Sequence, residues 1–314
     1  MDQKTRSVDR WRNQLALHFV RFLLGSGLVV AALLCQVVPA AAAAEQKLTI
    51  SPVSNAIAVN PGASYQGTMT VANQGSAVAD MTFYASPYFV TGQQYSPIFN
   101  NVNQSVRADA WVHVVPHSAT VAAQGVVSVA YTVSPPANAR PGGYYAVLFA
   151  QAGTAGGAGT VGLSERAGEI LYVTVNGPAV KAGSVQFASL PLVTFSTGVH
   201  PSVLIHNMGS VHFEASAEWS IVPIFGGPVN GVQKSVYVLP GTARQVDAPV
   251  TLSPHFGVGV YRITRTVTVL GTPTQNVAYI VTINPAWILI ALAGVMASLL
   301  VRYKHVRHTR SNHV

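Results

Sequence analysis

AIAVNPGASYQGTMTVANQG, Ala56 to Gly75, is the stretch whose reading decides the fold. Ala56 to Val59 and Tyr65 to Ala72 are short runs of β-branched and alternating residues, a period of two that suits a half-buried strand. Asn60-Pro61-Gly62 joins them and Asn73-Gln74-Gly75 closes the second, each combining residues that set a bend or accept positive φ. The pattern continues outward at Met81 to Tyr84, Ala110 to Val115, Val126 to Val133, Tyr144 to Ala150 and Ile170 to Val175. Seven or so short strands over about 130 residues point to an antiparallel sandwich.

After the break at Asn176-Gly177-Pro178 the pattern starts again, with runs from Ser184 to Phe187 through Val277 to Ile283. The halves share landmarks. Val71-Ala72-Asn73-Gln74-Gly75-Ser76 is similar to Leu204-Ile205-His206-Asn207-Met208-Gly209-Ser210, and Gly143-Tyr144-Tyr145 to Gly259-Val260-Tyr261. The expected fold is therefore all-β: two tandem immunoglobulin-like β-sandwich domains, with an N-terminal signal peptide and one C-terminal transmembrane helix. The glycine- and alanine-rich Gln151 to Gly168 reads as a long loop between the last two strands of the first domain, because ending the domain at Ala150 would strip an edge from its sheet.

The terminal segments suggest export and tethering. Lys4, Arg6, Arg10, Arg12 and Arg21 precede an apolar run from Phe22 to Val38, and Pro39 to Ala44 supplies small residues for a signal peptidase. The expected signal peptide is 1–44; an uncleaved anchor is the alternative. Leu34 before Cys35 does not fit a lipobox. Near the other end, Ala286 to Val301 is apolar apart from Ser298, and Asn284-Pro285 is a good helix start. Trp287 and Tyr303 stand where interfacial aromatics belong, and Arg302, Lys304, Arg307 and Arg310 follow, so these anchors place a single span with its C-terminus inside. The expected domains are 45–177 and 178–284, with a helix at 285–303 and a basic cytoplasmic tail at 304–314. The second domain should sit on the membrane.

The net charge of +8 misleads about partners. Between Glu45 and Asn284 nine Lys or Arg, scattered, face eight Asp or Glu, so there is no stripe to track phosphates and no nucleic-acid partner is expected. The chain's one cysteine, Cys35, lies in the expected signal, which excludes disulfides and thiolate sites from the mature protein.

Few constellations suggest chemistry. Gly157-Ala158-Gly159-Thr160-Val161-Gly162 matches a dinucleotide fingerprint, but no helix follows for its glycines to open. His113 with His117, and His206 with His212, could share strand faces, yet Pro116 interrupts the first pair and a turn the second; solvated surface histidine is the expectation. Glu165 with Glu169, and Glu214 with Glu218, are the close carboxylate pairs that a hydrolase would draw on. Catalytic residues, cofactors and metals are all expected to be none. Tyr84, Tyr88, Phe89, Tyr95 and Phe99 lie in a segment of small polar residues, which suits either a long loop presenting aromatic faces to a ligand or a plug at the end of the sandwich core.

Ile57 to Asn73, with its Pro61-Gly62 turn, and Tyr131 to Phe149, with Val133-Ser134-Pro135-Pro136-Ala137 before Arg140-Pro141-Gly142-Gly143-Tyr144-Tyr145-Ala146, resemble the bacterial WxL-interacting cell-surface proteins. The resemblance implies the same plan of signal, two domains, helix and basic tail, with peptidoglycan binding in the first domain and contact to host or partner surface proteins in the second. It assigns no ligand-binding residue. The functional expectation is a non-catalytic, membrane-anchored cell-surface adhesion protein contacting cell-wall glycan, surface proteins or both. A chaperone-like assembly factor for exported subunits is the alternative, and an envelope hydrolase ranks below it.

Overall fold

The computed structural model describes residues 47–100, 102–153, 164–226, 229–252 and 257–311, the side chains of 303–311 excepted. The first sandwich is built from β1 (Leu48–Ser51), β2 (Ser54–Val59), β3 (Tyr65–Asn73), β4 (Ala79–Pro87), β5 (Phe89–Thr91), β6 (Ser96–Ile98), β7 (Val112–Val115), β8 (Ser118–Val121), β9 (Val126–Val133), β10 (Gly142–Gly153) and β11 (Ser164–Val175). One sheet runs β1-β3-β9-β7 and the other β2-β11-β10-β4-β8, with β5 and β6 forming a separate hairpin. The opening segment crosses between sheets: β1 pairs antiparallel with β3, and β2 then pairs parallel with β11. Between the sheets lie Met69, Val71, Val129, Val133, Leu148 and Leu171, all fully buried.

The second sandwich repeats this plan. Its strands are β12 (Gly183–Phe187), β13 (Val193–Thr194), β14 (Gly198–Val199), β15 (Ser202–Asn207), β16 (Phe213–Pro223), β17 (Asn230–Val238), β18 (Ala243–Asp247), β19 (Val250–Thr251), β20 (Val258–Val269) and β21 (Thr272–Ile283). Sheets β12-β15-β18 and β13-β21-β20-β16-β17 enclose Trp219, Ile205, Ile221 and Ile263. Here too the first strand pairs antiparallel, with β15, and the next parallel with the last strand, β21. The fold class is thus two tandem immunoglobulin-like sandwiches.

The repeated motifs have a shared physical cause. Asn73 and Asn207 are both buried, and each accepts a backbone N–H two residues on, from Gly75 at 3.0 Å and from Gly209 at 2.8 Å. Their amides donate inward: Asn73 to the carbonyls of Ala77, Val121 and Ala122, and Asn207 to those of Val211 and Val238. A backbone carbonyl cannot be buried without a donor except at a cost. Asn73→Ala removes a side-chain donor shared by three carbonyls, of which Ala122 O keeps the Gly125 N–H, and is expected to destabilise the protein by about 2 kcal/mol, read as a lower urea midpoint with unchanged slope. The second shared motif is a close approach: a Cβ at Gly143 would lie 2.3 Å from Tyr145 Oη, and one at Gly259 2.6 Å from the Tyr261 ring.

Two expectations are corrected. Where it is described, the segment expected as a loop over Gln151 to Gly168 is strand: residues 151–153 belong to β10 and 164–168 to β11, which pair from Gly142↔Val175 out to Gly153↔Ser164, while 154–163 lie outside the described residues. Polar residues join that ladder because they find partners, Gln151 Oε1 accepting from Tyr84 Oη at 2.7 Å and the Arg166 guanidinium lying 4.1 Å from the Phe149 ring centre. Ala110 to Val115 is also not strand throughout, since Asp109–Trp111 forms a 3-10 turn before β7.

The last strand feeds directly into α1 (Pro285–Ser311). Asn284 caps it, its Oδ1 accepting from Ala286 N at 3.0 Å, with proline at the first helical position. The 18 residues Pro285–Arg302 have mean hydropathy 1.9 and none is buried, so this helix is long and apolar enough to cross a membrane. Ser298 does not break the apolar surface, because its hydroxyl donates to Val295 O within the helix.

Candidate functional site: the domain junction and the helix exit

The aromatic segment neither stands free in solvent nor plugs an end of the sandwich: Tyr88 is buried, and Tyr84, Phe89, Tyr95 and Phe99 are half-buried. It forms a second core on the outer face of the β4-β10-β11 sheet, where Tyr88, Val90, Tyr145, Val147, Phe149 and Leu239 are buried together. Strand β10 is therefore covered on both faces, Ala146, Leu148 and Ala150 packing inward and Tyr145, Val147 and Phe149 outward. The β5–β6 hairpin supplies one part of the cover and the second sandwich the rest.

Tyr95 makes the bridge. It sits at φ 60 in the hairpin turn, and its hydroxyl accepts from Leu239 N at 2.8 Å and bonds Thr242 Oγ1, which itself donates to Leu239 O. Arg244 lies over the Tyr95 ring at 4.4 Å and donates to Tyr237 O. Backbone bonds cross as well, from Gln245 N to Gln93 O and from Gly143 N to Ser210 O. At the centre Tyr172 stacks on Tyr237 with ring centres 4.4 Å apart, and His212 packs against Tyr145, Tyr172 and Tyr237. The linker adds no slack: Val180 N donates to Ser210 Oγ, and Met208 N to Ala182 O.

His212 is thus corrected from a solvated surface residue to a junction residue, and burial pushes its pKa down to about 4. His113 and His117 are exposed, and His206 is half-buried on β15. Among the described residues no three His, Cys, Asp or Glu gather to hold a metal. The glycine fingerprint Gly157 to Gly162 lies outside the described residues.

The carboxylate pairs do not face one another across a cleft. Glu214 and Glu218 are exposed along β16, while Glu165 and Glu169 are four residues apart on β11, so about 13 Å along one strand. Glu165 accepts from Leu48 N at 3.0 Å. Glu169 is fully buried, accepting from Tyr131 Oη at 3.1 Å, and Tyr131 Oη in turn accepts from Asn55 Nδ2. Burial pushes the Glu169 carboxyl up to about 7, partly opposed by the Tyr131 hydrogen bond. The composition alone offered no sign of this buried acid.

Of the expected membrane anchors, Trp287 lies in the first turn of α1, about half exposed, against Gly257, where an added Cβ would be 2.0 Å from its ring. Arg302 is exposed, and Tyr303 and Lys304 continue the helix, their side chains lying outside the description.

No protein-family model matches the chain. No curated protein matches it either. Among solved structures it is similar to the E. coli chaperone DraB, with 15% identity over 74% of this chain and 98% of that one and a TM-score of 0.37. It is also similar to a chain of the Salmonella enterica SafA pilin–SafB chaperone complex, at 11% identity over 77% and 98% with TM-score 0.37. A third is a chain of the CsuC–CsuE chaperone–tip adhesion subunit complex of Acinetobacter baumannii, at 13% identity over 74% and 98% with TM-score 0.36.

Proposed function

We propose that this chain is a non-catalytic, membrane-anchored binding protein that holds a rigid two-domain arm outside the cytoplasm to contact cell-wall glycan, partner surface proteins or both, as the resemblance to WxL-interacting proteins implies. The observation that carries this reading is an uncovered apolar helix running straight out of a sandwich that is locked to its neighbour by an aromatic core. A tether with rigid reach is useful to a binder, which must present a surface at a set height. The basic residues after Val301 orient the span with its C-terminus inside.

A second reading, capture of extended strands from exported subunits, is favoured by one feature. Strand β2 pairs with β11 only over Ile170 to Val175, so Ser164–Glu169 has no strand on that side among the described residues. Strand addition to such an edge is a known recognition mode. Against it, the edge bears Glu165, Arg166 and Glu169 rather than alternating apolar residues, a composition that discourages pairing.

Co-sedimentation of the full chain, solubilised in mild detergent, with purified peptidoglycan separates the readings. Saturable binding competed by soluble wall fragments is the expected result. Binding competed only by an extended apolar peptide would replace it with strand capture, and a measurable turnover of wall polymer would overturn the non-catalytic reading.

A further inference from the structure

The end of the second sandwich from which α1 leaves is ringed by exposed apolar side chains. Phe225 is 81% exposed, Phe195 61%, Val258 50% and Ile224 46%, values unusual for large apolar residues grouped at one end of a domain. The ladders place them together. Val258 pairs with Ile283, two residues before α1 begins, and Thr194, just before Phe195, pairs with Thr282. Ile224 N donates to Val260 O, and Phe225 lines a small cleft with Val258, Val260 and Tyr261. Domain one contacts the opposite end, through Ser210, His212 and Tyr237.

Two further observations say what covers this rim. The helix has no spacer, since β21 ends at Ile283, α1 starts at Pro285, Asn284 N donates to Gly257 O and Trp287 rests on Gly257. A bilayer that holds α1 must therefore begin within a few ångströms of the rim. The rim also carries no acid: no Asp or Glu lies between Glu218 and Asp247, or anywhere after Asp247. Carboxylates there would be costly to desolvate at an acyl boundary, whereas phenylalanine and isoleucine gain by entering it.

We propose that this end of the second sandwich is itself a lipid-contact surface, with Phe195, Ile224, Phe225 and Val258 entering the headgroup–acyl boundary around the exit of α1. The inference rests on the reading of α1 as a membrane anchor and adds to it an orientation: the arm stands on the bilayer at a fixed angle instead of swinging from a tether.

Spin labels test it in the full chain, with Cys35→Ser as background, reconstituted in vesicles of phosphatidylcholine and phosphatidylglycerol. Single cysteines are introduced as Phe225→Cys, Phe195→Cys, Leu292→Cys within the helix and Val126→Cys on the exposed start of β9, and accessibility to oxygen and to an aqueous nickel chelate is compared. The expected result is that labels at 225 and 195 favour oxygen over the chelate by at least threefold more than the label at 126, approaching the label at 292. If 292 is lipid-buried while 225 and 195 match 126, the lipid-contact surface is overturned and the anchor stands. If 292 also matches 126, the anchor reading itself falls and this proposal with it.

Discussion

Tyr145→Ala is expected to cost about 4 kcal/mol and to split one unfolding transition into two, because the side chain it removes is a fully buried ring at the meeting point of both sandwiches. Tyr145 packs against Phe89 of the hairpin, Tyr172 of its own sheet and His212 of the second sandwich. Truncation opens a cavity that the paired strands β10 and β11 cannot collapse to fill, and cavity cost rises with the volume left unfilled. It also severs the packing through which one sandwich senses the order of the other. Calorimetry of the full chain in detergent micelles checks both parts. Tyr145→Phe serves as the control: the hydroxyl bonds the His212 backbone and makes a long contact to His212 Nδ1 at 3.5 Å, so a loss of about 1 to 2 kcal/mol with one unfolding transition is expected. A Tyr145→Ala protein that melts in one transition with little loss would mean that the backbone bonds from Gly143 and Gln245 suffice to couple the domains.

The contrast between sandwich and junction explains what could be read from the chain. Strand period, turn chemistry and the repeated Asn-x-Gly motif are local, and each is set by residues within a few positions of one another. Asn73 and Asn207 look alike in sequence because the same buried turn needs the same amide. The helix start at Asn284-Pro285 is equally local. The junction depends on which surface of β10 a distant segment covers, and a loop rich in Gly, Gln and Ser left open whether its aromatics face a ligand or pack inward and named no surface for them to cover. One signal was present: Gly143-Tyr144-Tyr145-Ala146-Val147-Leu148-Phe149-Ala150 is apolar without alternation, as a strand covered on both faces must be. Glu169 was illegible for the opposite reason, since a lone acid in a strand predicts exposure until its tertiary partners, Tyr131 and Asn55, are known.

Glu169 and His212 should make stability nearly independent of pH between about 4.5 and 6.5, and replacing either should uncover a slope. Burial raises Glu169 from 4.5 to about 7, so between those values the native state holds a proton that the unfolded chain has released, and stability falls as pH rises. Burial lowers His212 from 6.5 to about 4, so over that range the unfolded chain binds the extra proton and stability rises with pH. Where the windows overlap the slopes have opposite sign, each at most about 1.4 kcal/mol per pH unit. They offset one another only if the sandwiches unfold together, which the aromatic junction provides. Urea titrations of the full chain in micelles are therefore expected to give a nearly flat wild type across the window. In Glu169→Gln the histidine acts alone: stability climbs with pH, and the gain over wild type widens by about 3 kcal/mol from pH 4.5 to 7.5. In His212→Phe the carboxyl acts alone and stability falls by about 2 kcal/mol from pH 4.5 to 6.5, smaller than the full shift because the Glu169 transition is incomplete there. A Glu169→Gln profile parallel to wild type would mean that Glu169 is already ionised in the native protein, and the buried Tyr131–Glu169 contact would then be a charged hydrogen bond rather than a neutral one.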